Sequence, residues 1–172
     1  LKAISAEATR SMSCCAVRGS ADCLHLTPRL AALRRHLCPG PVSGEDLNKT
    51  AVREVLERYV QGTESCDAGL LRSLFHDSAV MHGYIDDKEI LGGADAFFAQ
   101  MEKVKASHHA RGWNYQAKIQ TIEVLGNVAT ASMSETGYMG KLSFENAFHL
   151  AKGKLDGKWR IVSKLFRGQV AA

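Results

Sequence analysis

From Trp113 onward the apolar side chains fall on every second position, and this period of two constrains the fold more than any other feature. Trp113, Tyr115, Ala117 and Ile119 alternate with Asn114, Gln116, Lys118 and Gln120, the pattern of a strand with one covered face and one wetted face. Gly126-Asn127 separates this run from Val128 to Met139, Gly140-Lys141 separates that from Leu142 to Lys152, and Asp156-Gly157 leads into Lys158 to Phe166. Each break has the chemistry of a short hairpin turn. Four long strands joined by short turns make an antiparallel meander, and its apolar face needs a cover.

The cover lies upstream, where the period changes to that of a helix. Val52, Val55, Leu56, Tyr59 and Val60 recur at i, i+3, i+4, i+7 and i+8, predicting an amphipathic helix that ends near Gly62. Asp67 reads as the N-cap of a second, short helix carrying Leu70, Leu71, Leu74 and Phe75. Ser78 to Ile85 reads as a strand, Asp86-Asp87 as a turn, and Gly93 to Val104 as a third helix presenting Phe97, Phe98 and Met101. A polar loop, Ser107 to Gly112, then leads into the meander. Three helices, one strand and four further strands imply an α+β fold, with the helices packed on one face of a curved, mainly antiparallel sheet.

The domain is expected over residues 44–172, and residues 1–43 as a basic tail or targeting segment. The formal charge of +4 sits almost wholly in the tail: Lys2, Arg10, Arg18, Arg29, Arg34 and Arg35 face only Glu7 and Asp22, which leaves sixteen cationic and sixteen acidic residues for the rest. A neutral folded part argues against a phosphate-binding surface, so no nucleic acid is expected as partner. The tail is rich in Ser, Ala, Cys and Arg and closes on Cys38-Pro39-Gly40-Pro41. That composition suits a flexible extension in a cytoplasmic protein, or an organellar transit peptide. Four of the five cysteines lie there, with no C-x-x-C pair, so neither a disulfide framework nor a metal site is expected. No apolar run approaches the ~20 residues that a membrane helix needs, and no membrane role is expected.

Four stretches carry a family resemblance. They are Arg58-Tyr59-Val60 with Gly62; Leu74-Phe75-His76-Asp77-Ser78-Ala79 into Val80-Met81-His82-Gly83-Tyr84; Leu91-Gly92-Gly93; and Leu155-Asp156-Gly157-Lys158-Trp159-Arg160-Ile161-Val162-Ser163-Lys164. In this order they resemble the nuclear transport factor 2-like superfamily, in its lumazine-binding-like branch with polyketide cyclase and steroid isomerase relatives, over about Asp46 to Arg167. The resemblance implies a cone-shaped α+β barrel whose open end admits a small organic ligand, with no cofactor, and often a homodimer formed through the outer sheet face near Glu145, Ala147 and His149. It leaves the chemistry open, from a lyase, isomerase or hydrolase to a non-catalytic binding or assembly module.

Against the steroid isomerase pattern, Tyr59 matches the oxyanion-holding tyrosine. Gly83 stands where the catalytic base belongs, and Asn146 where the second acid belongs, so the two-acid mechanism does not carry over. His82 occupies the place where polyketide cyclase relatives show histidine, and imidazole titrates near neutrality. Strand alternation nevertheless turns it outward if Met81 and Gly83 face the cone. His76 reads as a turn-capping residue, His108 and His109 as loop residues, and His149 as an outer-face residue. The apolar parities of the meander select Trp113, Tyr115, Met133, Phe144 and Phe148 for the concave face, and Glu135 and Asn146 share those parities. Lys164 interrupts the apolar strand that also carries Phe166, so it either snorkels outward or pairs with an inward acid such as Glu135. The expected polar site groups are therefore Tyr59, His82, Glu135, Asn146 and Lys164. The expected ligand-contacting groups are Met81, Trp113, Tyr115, Met133, Phe144, Phe148 and Phe166.

Because every long helix and every period-two strand lies after Gly44, a chain starting at Gly44 should unfold in one cooperative transition with the midpoint of the full-length protein. Thermal denaturation of both forms checks this, and loss of the transition on truncation assigns the tail to the core.

Overall fold

The computed structural model describes residues 43–106 and 112–170. The readings of residues 1–42 and of His108 and His109 lie outside the described residues.

Helix α1 (Gly44–Glu64) starts at an N-cap, Ser43, whose side chain accepts from the Asp46 amide at 3.1 Å while its hydroxyl donates to the Asp46 carboxylate. This reciprocal arrangement satisfies an amide that the first turn leaves unpaired. Val52, Leu56, Tyr59 and Thr63 form the buried stripe. Fully burying an aliphatic side chain of this size stabilises by ~1.5–3 kcal/mol, so the stripe outweighs the weak intrinsic stability of the helix. Cys66 takes the left-handed conformation at φ 52° and turns the chain into α2 (Ala68–Leu74). Asp67 caps α2 by accepting from the Leu70 amide at 3.0 Å.

Strand β1 (Phe75–Ile85) follows directly and pairs antiparallel with β2 (Lys88–Gly93) through the Asp86-Asp87 turn. Helix α3 (Asp95–Ala106) comes next. The meander then runs β3 (Gln116–Leu125), β4 (Val128–Tyr138), β5 (Leu142–Lys152) and β6 (Trp159–Val170). The six strands form one sheet in the order β2-β1-β6-β5-β4-β3, with β1 and β6 parallel and every other pair antiparallel. Among the described residues, three helices and a six-stranded, mostly antiparallel, open sheet make up the α+β fold expected from the pattern.

The sequence reading stopped the first strand region at the turn, whereas the structure adds β2. Its residues Lys88, Glu89, Leu91, Gly92 and Gly93 are exposed, so this edge strand lacks the apolar alternation that marks the others. Register shifts in all three ladders of the meander also break strict alternation. The β3–β4 register shifts between Ile119 and Thr121, which brings Ile122 to the buried face, and the β4–β5 register shifts between Glu135 and Tyr138. At the second bulge Gly137 has φ 72°, and a Cβ there would run into the backbone carbonyl of Asn114. The extra residue re-aims the strand so that Glu135 and Tyr138, three positions apart, both point inward.

Candidate functional site

Strand parity on β4 and β5, together with a register shift in the β5–β6 ladder between Ile161 and Ser163, delivers the polar groups to one place. On β4 the buried set is Ala129, Ala131, Met133 and Glu135; on β5 it includes Phe144, Asn146 and Phe148; on β6 it includes Ile161 and Lys164. From the helical side, α1 adds Tyr59. Tyr59, Glu135, Asn146 and Lys164 are 1%, 2%, 4% and 5% exposed, so these four polar side chains lie inside a largely apolar core.

Their contacts form a connected set. Lys164 Nζ donates to Tyr59 Oη at 2.6 Å and stands 3.9 Å from Glu135 Oε2. Glu135 is held by two neutral donors: Tyr115 Oη reaches Oε1 at 2.7 Å and Asn146 Nδ2 reaches Oε2 at 2.9 Å. Asn146 Nδ2 also lies 3.3 Å from the Met133 carbonyl, which fixes the orientation of the amide. Among the described residues, Asn146 Oδ1 has no donor. The rings of Tyr59, Phe97, Phe144, Phe148 and Phe166 surround Lys164 Nζ at 5.0–5.8 Å from their centroids. Ring faces attract a cation at this range, which offsets part of the cost of removing the ammonium from water.

Burial pushes the Lys164 proton affinity down, and the nearby Glu135 carboxylate only partly opposes the shift. Burial and then Glu135 push Tyr59, Tyr115 and Tyr138 up, so all three hydroxyls keep their protons and remain available as hydrogen-bond donors.

Beside this cluster lies a cavity of about 340 Å³. Tyr59, Glu135 and Lys164 reach it as polar groups, and Met81, Phe144 and Phe166 line it as expected. Further lining comes from Ile90, Leu91, Gly92 and Gly93 of β2, from Ala96, Phe97 and Gln100 of α3, and from Ile85, Tyr138, Met139 and Leu142. The β2 contributors were missed with the strand itself. Tyr138 was missed because it sits on the wrong parity until the Gly137 bulge is taken into account, and a glycine within a strand is the signal that could have found it. Phe97 was legible as apolar helix surface but not as a wall.

Several expected site residues lie elsewhere. His82 does not join the cluster: with Met81 and Gly83 buried on either side, it projects from the opposite sheet face and pairs with Glu89 at 2.9 Å. Tyr115, Met133, Phe148 and Asn146 are buried behind the cavity rather than lining it, and half-buried Trp113 packs on Tyr138 at 5.6 Å between ring centroids. Gly83 faces inward, but a Cβ there would run into the backbone oxygen and ring of Phe166. No side chain can be carried at that position without moving β6, so the strand base of the steroid isomerase pattern is excluded by space as well as by sequence.

Comparison with known proteins agrees with this architecture. Residues 48–167 match the model of the family described as "Putative lumazine-binding". Among solved structures, a nuclear transport factor 2-like protein of unknown function from Methylobacillus flagellatus KT is 30% identical, with 76% of this chain and 96% of that chain covered and a TM-score of 0.60. One from Shewanella baltica OS155 is 24% identical over 73% and 97% of the two chains, with a TM-score of 0.60. A ketosteroid isomerase-like protein from Erwinia carotovora atroseptica SCRI1043, 14% identical over 70% and 95%, has a TM-score of 0.51 and shares the fold. Comparison with curated proteins returned no match.

The three inward tyrosines set an alkaline limit. Their folded proton affinities are raised, so the stability they contribute is present below the unfolded value of about 10 and is lost as pH rises through it, when only the unfolded chain ionises. Lys164 acts in the opposite sense, because its lowered affinity makes stability rise with pH up to its unfolded value of about 10.4. Urea denaturation at stepped pH should show stability rising gently toward pH ~10 and falling steeply above it, with tyrosinate absorbance beyond that of exposed Tyr84 appearing together with unfolding. Ionisation of all the tyrosines near pH 10 in a chain that stays folded contradicts this burial.

Proposed function

The chain belongs to the nuclear transport factor 2-like superfamily, in its lumazine-binding-type family, and on that premise we propose that it binds a small hydrophobic or aromatic molecule in its cavity and acts on it by proton transfer. The observation that carries the reading is the convergence of Tyr59, Glu135 and Lys164 on one end of an apolar cavity of about 340 Å³. Small-molecule sites have this composition, apolar walls with a few converging polar groups, and the volume is near the lower end of their usual range. A ligand of two or three fused rings suits it better than a dinucleotide. A lumazine fits by size, but its many polar edge atoms outnumber the polar groups on the walls.

In this reading the Glu135 carboxylate takes a proton from the carbon next to a ligand carbonyl or aromatic ring. The protonated Tyr59 hydroxyl and the Lys164 amine face the oxygen on which negative charge develops. Donors already placed in a dry site stabilise such charge more strongly than water-exposed ones. Delivery of the proton elsewhere on the ligand is an isomerisation; loss of a neighbouring hydroxyl is a dehydration; bond formation within the ligand is a cyclisation. None of these calls for a cofactor.

Thermal-shift screening of lumazine, riboflavin, 2-naphthol, aromatic polyketides and steroids tests the reading. A ligand present at 100 times its Kd adds ~2.7 kcal/mol of stability. Hits should lose at least about tenfold in affinity in Phe97→Ala and Phe166→Ala, which remove cavity wall, a loss equal to ~1.4 kcal/mol. Affinity should be unchanged in Trp113→Ala, because Trp113 packs on Tyr138 and does not line the cavity. Equal binding by all three variants moves the ligand out of the cavity.

A second reading concerns the outer sheet face, where Val80 and Tyr84 of β1 and Leu165 of β6 are each 43–45% exposed beside Ala147 and His82. This apolar patch supports a homodimer through that face. Light scattering should give the mass of two chains, and Leu165→Asp should give that of one. A single-chain mass for the unaltered protein over a wide concentration range removes this reading.

A further inference from the structure

An amine is the least expected group in this cavity. Lys164 pairs in register with Met81 on β1 and with Phe148 on β5, so a ladder on each side fixes its inward direction. Turning its stem outward would slip two ladders at once, and each slip exposes a row of core side chains. Its nitrogen must therefore be accounted for where it stands.

A lysine that serves as a charge usually has a close carboxylate partner or water around the ammonium. Here the carboxylate stands off at 3.9 Å and is already held by Tyr115 and Asn146. An ammonium has three donors to satisfy. Among the described residues only Tyr59 Oη lies within hydrogen-bond distance of Nζ; the remaining surroundings are ring faces. Such a site favours the uncharged amine, whose lone pair is the reactive form of lysine. The lowered proton affinity of Lys164 agrees with this geometry.

We propose that Lys164 is a nucleophile that condenses with the carbonyl carbon of a small apolar aldehyde or ketone held in the cavity, forming a Schiff base. The proposal rests on the reading of the cavity as an apolar small-molecule site and names its substrate class. In the first step the Nζ lone pair forms a C–N bond while the C=O π electrons move to oxygen. That oxygen takes a proton from the Tyr59 hydroxyl, and Tyr59 is re-protonated from the adduct nitrogen beside it, leaving a neutral carbinolamine. In the second step the carbinolamine hydroxyl leaves as water. Its added proton comes from the Tyr59 hydroxyl, the nitrogen lone pair closes the C=N bond, and the proton left on the imine nitrogen is shared with the Tyr59 oxygen. One amine and one carbonyl thus give one imine and one water, with no change of oxidation state. The protonated imine draws electrons from the neighbouring carbon, so its proton passes to Glu135 more readily than it would from the free carbonyl compound. Addition of water to the C=N bond then reverses the sequence and frees Lys164.

Reductive trapping tests the assignment. The full-length protein is incubated at neutral pH with 2-naphthaldehyde and sodium cyanoborohydride, and the labelled lysines are located by peptide mass mapping. Lys164 should label at least about tenfold faster than exposed Lys49, Lys88 and Lys118, since the cavity holds the aldehyde beside its amine. Added 2-methylnaphthalene, the same ring system without a carbonyl, should slow labelling of Lys164 and leave the exposed lysines unaffected. Lys164→Met should lose the fast label. Should that variant fail to fold, the pH profile of the unaltered protein decides, because Lys164 should reach half its maximal labelling rate at lower pH than the exposed lysines. The titratable groups next to Nζ are Tyr59 from α1 and Glu135 from β4; Tyr138 of β4 lines the same cavity and Tyr115 sits behind Glu135, while α3, β1, β5 and β6 present Phe97, Met81, Phe144, Phe148 and Phe166. If 2-methylnaphthalene stabilises the protein but Lys164 takes no label, the nucleophile is overturned and the apolar site stands. If neither compound binds, both fall. Tight binding of 2-naphthoate without labelling by the aldehyde makes Lys164 a buried ammonium for anions and also overturns the proposal.

Discussion

The structure depends on the cost of placing a carboxyl and an amine inside an apolar core. Removing such groups from water costs several kcal/mol each, and direct attraction at 3.9 Å does not recover it alone. The surroundings supply the difference piecemeal. Tyr115 and Asn146 hold Glu135, Tyr59 holds Lys164, and aromatic faces pack around the nitrogen. These partners come from α1, the segment ahead of β3, β4, β5 and β6, so one polar cluster joins nearly every layer of the core. Asn146 is central to it, since its strand lies between those of Glu135 and Lys164 and its register partners are Met133 and Phe166.

Space beside the cluster has a similarly local cause. β2 presents no side chain at Gly92 or Gly93 where it borders the cavity, and Gly83 on β1 has none because Phe166 fills its place. Large rings stand around the gap and contact one another, with Tyr138 and Phe144 edge to face at 5.4 Å and Phe144 and Phe166 at 6.0 Å. Walls braced in this way resist collapse, whereas flexible aliphatic side chains would close the opening.

The residue pattern made the main architecture legible because periodicity reports burial directly. The period of two placed Phe144, Asn146 and Phe148 of β5, and Met133 and Glu135 of β4, on one face, and the helical stripe placed Tyr59 against them. Alternation also turned His82 outward, where the structure has it. Residues whose position is set by an interruption of the period were not legible. Tyr138 depends on a bulge at Gly137, and Ile122 on one near Gln120. β2 was invisible because an exposed edge strand with two glycines has no buried face to leave a pattern. The division between cavity wall and supporting layer was hidden too: Phe148 and Phe144 share a strand face, yet only Phe144 borders the open space. That difference depends on how α1 and α3 pack above the sheet.

The parallel pairing of β1 with β6 bears on how the chain acquires its structure. These neighbours are separated in sequence by β2, α3 and the first three strands of the meander, and the bond from Lys164 to Tyr59 spans 105 residues. During synthesis the helices and β1 leave the ribosome well before the strand that completes their sheet and supplies the amine. Until β6 emerges, β1 has only the short β2 as a partner, and its other edge, at Phe75 and from Val80 to Ile85, stays open to chaperones or to neighbouring chains. High sequence separation of native contacts slows folding. The same strand that equips the cavity therefore also sets the moment at which the nascent protein stops being vulnerable to aggregation.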